Sequence, residues 1–308
     1  MTTLAAPLDS DELKRRIVEF ARGASTEVST RDEDLVPALV KSLPAGTTVY
    51  VAHTPRATLD DVVSVALRVE SAGFRASPHI VARRIENERV LRAALRRLRD
   101  GGIEQLLLVA GDRDPPAGPF SGTLKILDTG ATVEAGFERL GVARHPEGHR
   151  AVGPTALWSA LGRKQAFALR TGTKLHVVTQ FGFDPRAVCA WERRFGEHGL
   201  DLPVHVGIAG PAPLPRLIRF AMQCGVGASM QSLMRNVSAM SRVARLATGP
   251  DEMLVGLMRE SAAGGATRVV ASHFYAFGGA VETARWLRDV IDGAFELDPE
   301  TDRFVMKA

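Results

Sequence analysis

Residues Thr47–Glu70 read TTVYVAHTPRATLDDVVSVALRVE, and they contain the unit from which the fold follows. The segment Thr47–Ala52 is short and rich in β-branched and aromatic residues, which predicts a strand. Thr58 and Asp61 form a capping-box pattern, and the apolar residues that follow recur at helical spacing, so a helix is predicted from Thr58 to the end of the segment. The polar stretch between them carries His53. The unit is therefore a strand, a polar loop and a helix.

The same alternation runs through the rest of the chain. Eight strands that alternate with helices predict a parallel sheet, and the number eight favours a closed (β/α)8 TIM barrel over an open doubly wound sheet. A helix with Ser10 as its N-cap precedes the first strand, so residues 1–23 are predicted to be a helical extension of one domain spanning residues 1–308. The predicted strands are Ser25–Ser29, Thr47–Ala52, Phe74–Ala82, Ile103–Ala110, Leu140–Ala143, Lys174–Phe181, Val204–Ala209 and Thr267–Tyr275. The later predicted helices are Arg83–Asp100, Thr155–Arg170, Pro185–His198, Pro213–Gln223, Asp251–Ala262 and Ala280–Ile291.

The composition narrows the class of protein. The 308 residues carry a formal charge of +4, but aromatic residues make up only 6% and the arginines are scattered over predicted helix faces, which argues against a nucleic-acid partner and favours an anionic small substrate. The two cysteines, Cys189 and Cys224, lack CxxC spacing. With no signal sequence and no apolar run long enough to cross a membrane, we expect a cytoplasmic protein without a membrane partner. The sequence leaves homo-oligomer formation open.

Unusual polar residues occur where the predicted strands end. In a TIM barrel the carboxyl ends of the strands form the active site. We expect Glu27 and Asp112 to face each other across this mouth, one carboxyl kept protonated by apolar surroundings and the other ionised. Gln180 interrupts an apolar strand, so its amide needs partners that a ligand would supply. The polar residues at strand ends are Glu27, His53, His79, Asp112, His145, His149, Gln180, His273 and Tyr275.

The segment Arg144–His149 reads RHPEGH and raises the question of a metal. Its two histidines and glutamate are close in sequence, but Pro146 and Gly148 favour a loop over the helix that an HExxH pair needs. We therefore predict no metal and keep metal-dependent hydrolysis as an alternative. The chain also lacks GxGxxG, Walker, GxSxG and SxxK patterns, so a nucleotide would bind without the usual glycine-rich loops.

Seven short motifs, taken in order, resemble those of the methylenetetrahydrofolate reductase family. They are STEVS (25–29), SPHIVA (77–82), AGDRDPP (110–116), HPEGH (145–149), VTQFGFD (178–184), VGIAG (206–210) and SHFYAF (272–277). No single motif is specific, but their order and spacing extend over nearly the whole chain. The resemblance implies a (β/α)8 barrel that reduces 5,10-methylenetetrahydrofolate to 5-methyltetrahydrofolate with NADH or NADPH, usually through FAD.

The resemblance also assigns roles to residues. It implies that Glu27 is the general acid that helps open the methylene bridge to an iminium. It implies that Asp112 and Gln180 hydrogen-bond the pterin and that Asp112 stabilises the positive charge developing there. Tyr275 in the HFY motif is implied to contact the substrate. The residues implied to contact the cofactor are His79, Gly111, His145, His149 and Gln180.

Departures from the family's pattern concern mainly FAD. Ala110 stands where the family commonly has arginine, and Gln165–Gly172 stands where a Lys/Arg-rich stretch grips the FAD phosphates. The ligand-stacking aromatic of the seventh loop corresponds to Leu214, and the Asn-Arg that often follows HFY corresponds to Gly278-Gly279. We therefore expect direct hydride transfer from NADH or NADPH without FAD. The alternatives are the reverse reaction, oxidation of 5-methyltetrahydrofolate, and a non-catalytic folate-binding or regulatory protein.

Overall fold

The structure is a computed structural model that describes residues 8–149, 151–224, 250–264, 267–301 and 303–307, without the side chains of Leu214, Gln223 and Cys224. Eight parallel strands pair in chain order, and the first pairs with the eighth, so the sheet is a closed barrel. The predicted (β/α)8 barrel is confirmed. The strands are β1 Ser25–Ser29, β2 Thr48–Ala52, β3 Arg75–Val81, β4 Gln105–Val109, β5 Arg139–Arg144, β6 Lys174–Gly182, β7 Val204–Ala209 and β8 Val269–Tyr275.

Helices surround the barrel and connect its strands. They are α1 Ser10–Arg22, α2 Val36–Ser42, α3 Leu59–Ser71, α4 Glu88–Asp100, α5 Thr123–Asp128, α6 Ala131–Glu134, α7 Pro154–Thr171, α8 Pro185–Glu197, α9 Leu214–Cys224, α10 Asp251–Gly264 and α11 Ala280–Ile291. The capping box at the start of α3 is confirmed, because Thr58 Oγ1 accepts from the Asp61 N–H and Asp61 accepts from the Thr58 N–H.

One predicted N-cap and one predicted helix start were wrong. The N-cap of α1 is Asp9, whose carboxylate accepts from the Glu12 N–H, and Ser10 is the first helical residue. The helix predicted from Arg83 begins at Glu88, where Asn87 caps the chain, and a 3₁₀ turn at Ala82–Arg84 precedes it. In both places a neighbouring side chain that can cap free N–H groups fixes the boundary.

The strands alternate between an inward and an outward face, as the pleat requires. In β1, Val28 belongs to the large apolar core between the barrel and the helices, whereas Ser25 bonds His273 of β8 inside the barrel. Glu27 has the same parity as Ser25 and therefore lies on the inward face, one pleat nearer the mouth. The core thus stabilises the barrel from outside and leaves its interior for polar groups.

The ends of the chain close the helical layer. Helix α1 packs against α10 and α11, as expected for a helical extension before the first strand. A hairpin of β9 (Phe295–Leu297) and β10 (Phe304–Met306) follows α11, and Arg303 joins it to α10 through Asp251. No helix within the described ranges is long and apolar enough to span a membrane.

Candidate functional site at the barrel mouth

Glu27 is the most perturbed acid at the mouth. The pKa of its carboxyl is raised from 4.5 to about 7, mainly by burial and in smaller part by the nearby charge of Asp32, while a backbone hydrogen bond from Ala276 acts in the opposite direction. The Asp32 carboxylate is held in the loop after β1, where it accepts from the Ser29 N–H at 2.8 Å and from the Ser29 hydroxyl at 2.9 Å. About half of the Glu27 carboxyl groups are therefore protonated at pH 7, the form in which a carboxyl can act as a general acid.

Asp112 lies in the loop after β4 and has a different environment. Its side chain is 84% exposed and pairs with Arg84 Nη2 at 3.4 Å. The Arg84 side chain is only 13% exposed, because its guanidinium also donates to the carbonyls of His53 and Thr54 in the loop after β2. Arg84 thereby connects the rims of β2 and β4 and presents Asp112 to solvent at the mouth. Glu27 is therefore partly buried, whereas Asp112 is exposed.

Gln180 occupies an irregular part of β6. The pairing of β6 with β7 shifts register between Val178 and Phe181, and the Thr179 hydroxyl accepts from the Gly207 N–H at 2.8 Å. A Cβ on Gly207 would lie 2.4 Å from the Thr179 carbonyl oxygen, so this approach of the two strands requires glycine. The irregularity sets the direction of Gln180, whose side-chain oxygen accepts from the Phe181 N–H.

Tyr275, at the end of β8, reaches across to the same part of β6. Its hydroxyl donates to the Thr179 carbonyl at 2.9 Å. Its ring belongs to an apolar cluster beside the ends of β6, β7 and β8, which also contains Phe181 and Phe277 with ring centroids 4.9 Å apart. The structure therefore brings Gln180 and Tyr275 to one side of the mouth, next to an aromatic surface.

The loop after β5 contains the HPEGH motif. His145 and His149 lie with ring centroids 5.2 Å apart, and burial lowers the pKa of His145 to about 4. His149 is exposed, and its Nδ1 accepts from the Ala151 N–H. Residues of this loop, Gln180 and the start of α8 enclose a small cavity of about 70 Å³. Among the residues that the structure describes, no group of three His, Cys, Asp or Glu side chains is arranged to hold a metal ion.

The barrel interior below Glu27 is unusually polar. The Tyr50 hydroxyl of β2 lies 3.1 Å from His176 Nε2 of β6, and the rings of His176 and His205 stack at 4.4 Å. The Ser25 hydroxyl lies 3.0 Å from His273 Nδ1. Burial lowers the pKa of His176 to about 3 and that of His205 to about 4, so these side chains are neutral at pH 7.

His79 belongs to this interior group. Its ring lies 6.1 Å from that of Tyr50, and burial lowers its pKa to about 3. Gly111, at the mouth, has φ +88°, and a Cβ there would lie 2.5 Å from Val81 Cγ1, so the turn into the Asp112 loop requires glycine. Of the residues implied to contact a cofactor, His145, His149 and Gln180 share one rim, His79 lies in the interior, and Gly111 sits at the other rim.

Two positions were expected from the sequence to differ from a site that holds FAD phosphates: Ala110 and the stretch Gln165–Gly172. They contain few cationic side chains. Ala110 is neutral and its carbonyl accepts from the Arg83 N–H. In the stretch Gln165–Gly172, Gln165 is engaged with the backbone of Gly199 and Asp201, and Arg170 lies over the ring of Phe167. At these two positions, Arg170 is therefore the one cationic side chain that the structure describes.

Three groups of the site are not identified by the sequence patterns. Asp32 and Arg84 act on Glu27 and Asp112 across loops, and Tyr50 contacts residues of three other strands. A signal exists only for Tyr50, because the alternation of β2 places it on the face opposite Val49 and Val51. The contacts of Asp32 and Arg84 depend on loop conformations that no local pattern encodes.

Comparisons with known proteins show the fold. An uncharacterized protein from Clostridium thermocellum that binds two copies of 5-methyl-5,6,7,8-tetrahydrofolic acid matches with a TM-score of 0.56 and 12% identity, over 90% of this chain and 97% of that one. Dihydropteroate synthase from Thermus thermophilus matches with a TM-score of 0.45 and 17% identity, over 87% of this chain and 92% of that one. No protein-family model matches the chain.

Proposed function

We propose that the barrel mouth binds a reduced folate and catalyses hydride transfer from NADH or NADPH to 5,10-methylenetetrahydrofolate, giving 5-methyltetrahydrofolate. The proposal rests mainly on Glu27, a partly buried glutamate on the inward face of β1 whose pKa is raised to about 7. The order of the seven motifs supports the same reaction. A barrel of similar fold in Clostridium thermocellum binds 5-methyltetrahydrofolate, which supports a folate as the ligand.

Glu27 has one chemical task in this reaction. Its proton passes to N10 of the folate as the bond from N10 to the methylene carbon breaks, and the carbon remains as an iminium on N5. NAD(P)H supplies the hydride that adds to this carbon. The negative charge of Asp112 stabilises the cationic pterin, and the Gln180 amide orients it through its donor and acceptor. The balance is one proton and one hydride consumed for each methyl group formed.

We propose that the hydride passes without bound FAD. The neutral Ala110 and the neutral Gln165, whose amide is bonded to the backbone of Gly199 and Asp201, support this, since each charge-assisted bond missing from a pyrophosphate site removes about 1.5–3 kcal/mol. The reverse oxidation would use the same groups. Yellow colour and a flavin spectrum in the purified protein would refute the flavin-free step.

The test of the proposal compares Glu27→Gln with Glu19→Gln, an exposed change on α1. We expect the wild type and both variants to bind 5-methyltetrahydrofolate with similar Kd. Oxidation of NADPH in the presence of 5,10-methylenetetrahydrofolate should slow by about 10²–10⁴-fold in Glu27→Gln alone, the usual contribution of a general acid. Unchanged turnover in Glu27→Gln would remove its role, and binding without any turnover in the wild type would leave a folate-binding protein.

A further inference from the structure

A second cavity opens between the loop that follows β1 and the loop that follows β2. It measures about 220 Å³, and its lining includes Thr30 and Arg31 from the first loop and Thr54 and Arg56 from the second. Thr30 follows Glu27 by three residues, which is about 10 Å of extended chain. The cavity therefore lies on the same rim as the proposed proton donor, farther out toward solvent.

The charged residues that line this cavity leave a net positive charge, because the charge of Glu33 is compensated by Arg68 outside the lining. Glu33 accepts from Arg68 Nη1 at 2.5 Å, whereas Asp61 accepts from the Thr58 N–H at 2.8 Å within the capping box of α3 and keeps its negative charge. Arg31 and Arg56, in contrast, form no ion pair with any residue in the described ranges. Two guanidinium groups thus stand against one uncompensated carboxylate, that of Asp61, and an anionic ligand would pair with the remaining positive charge.

We propose that this cavity binds the carboxylates of the folate's glutamate tail. The inference rests on the proposed function, because it follows from the atom that Glu27 protonates. The p-aminobenzoyl group and its glutamate are attached to N10, so a substrate with N10 at Glu27 directs its tail along the adjacent rim. Guanidinium groups bind carboxylates through paired hydrogen bonds, and the Thr30, Thr54 and Ser64 hydroxyls add neutral donors.

The experiment measures Kd for 5-methyltetrahydrofolate with one and with three glutamates, and for NADPH. It uses the wild type, Arg31→Ala/Arg56→Ala, and the control Arg22→Ala/Arg96→Ala. Arg22 and Arg96 are exposed on α1 and α4 and lie outside the cavity, so both double variants remove two positive charges. Melting temperatures of all three proteins show whether they are equally folded.

We expect the triglutamate to bind the wild type and the control about tenfold more tightly than the monoglutamate, a difference of about 1.4 kcal/mol. In Arg31→Ala/Arg56→Ala this preference should disappear, with the Kd for NADPH unchanged. High ionic strength should weaken the preference in the wild type as well, because the cavity is open to solvent.

Several results overturn the subsite. Equal Kd values for the two folates in the wild type would do so, as would a preference that survives in Arg31→Ala/Arg56→Ala. A weaker affinity for NADPH in that variant, with the folate preference intact, would assign the cavity to nucleotide phosphates. If the wild type binds neither folate, the proposed function fails together with the subsite, and this outcome differs from all the others.

Discussion

The pH dependence of turnover tests the role of Glu27 quantitatively. With its pKa at about 7, about a quarter of the carboxyl groups are protonated at pH 7.5, compared with about one in a thousand at the ordinary value of 4.5. Burial therefore increases the population of the proton-donating form roughly 250-fold at that pH. We expect kcat/KM to be level below pH 7 and to fall about tenfold per pH unit above it.

Asp32→Asn provides the matching perturbation. The charge of Asp32 raises the pKa of Glu27, so its removal should move the midpoint of the profile to lower pH and reduce kcat/KM at pH 7.5. The assay is NADPH oxidation at saturating nucleotide from pH 5.5 to 9. Glu27→Gln is the control, because it should lack the fall of kcat/KM above pH 7. If kcat/KM of the wild type were constant from pH 6 to 9, or if Glu27→Gln showed the same fall above pH 7, Glu27 would not be the proton donor.

Three further predictions concern the rim, the β6 irregularity and the barrel interior. Asp112→Asn should lower kcat/KM about tenfold or more, whereas Asp114→Asn, equally exposed and paired with Arg83, should leave it unchanged; equal effects would contradict a specific role for Asp112. Gly207→Ala forces a Cβ against the Thr179 carbonyl and should cost about 1–3 kcal/mol of unfolding free energy by urea titration, whereas Gly122→Ala, with open space around it, should cost less than about 1 kcal/mol. Acid should destabilise the fold, because the lowered pKa values of the interior histidines let only the unfolded chain take up protons between pH 6.5 and about 4. The loss of unfolding free energy is about 1.4 kcal/mol for each such histidine at pH 5.5, and the raised pKa of Glu27 offsets part of it. A free energy of unfolding that is constant between pH 7.5 and 5.5 would contradict this prediction.

The sequence predicts the barrel because strand and helix periods differ clearly along most of the chain. The bounds of β1, β7 and α11 agree with prediction to the residue, and each lies beside a glycine, proline or polar turn. Helix α2 was missed: it has only seven residues and contains Pro37, so it depends on packing against α11 rather than on its own propensity.

The sequence predicts which residues lie at the barrel mouth better than it predicts their contacts and charges. The strand-end rule identifies Glu27, Asp112 and Gln180 as candidates at the mouth. It does not foresee that Arg84 from the loop after β3 would pair with Asp112, or that a register shift near Gly207 would set the direction of Gln180. These features depend on contacts between segments that are distant in sequence, and local patterns carry no information about them.

Direct hydride transfer from the nicotinamide to the folate can be tested by following the hydride with an isotope label. Purified protein is mixed with NADH deuterated at C4 and with 5,10-methylenetetrahydrofolate, and the product is analysed by mass spectrometry beside an absorbance spectrum of the protein. We expect one deuterium in the methyl group of 5-methyltetrahydrofolate and no flavin absorbance. A folate that binds but gains no deuterium, or a protein that carries flavin, would contradict it.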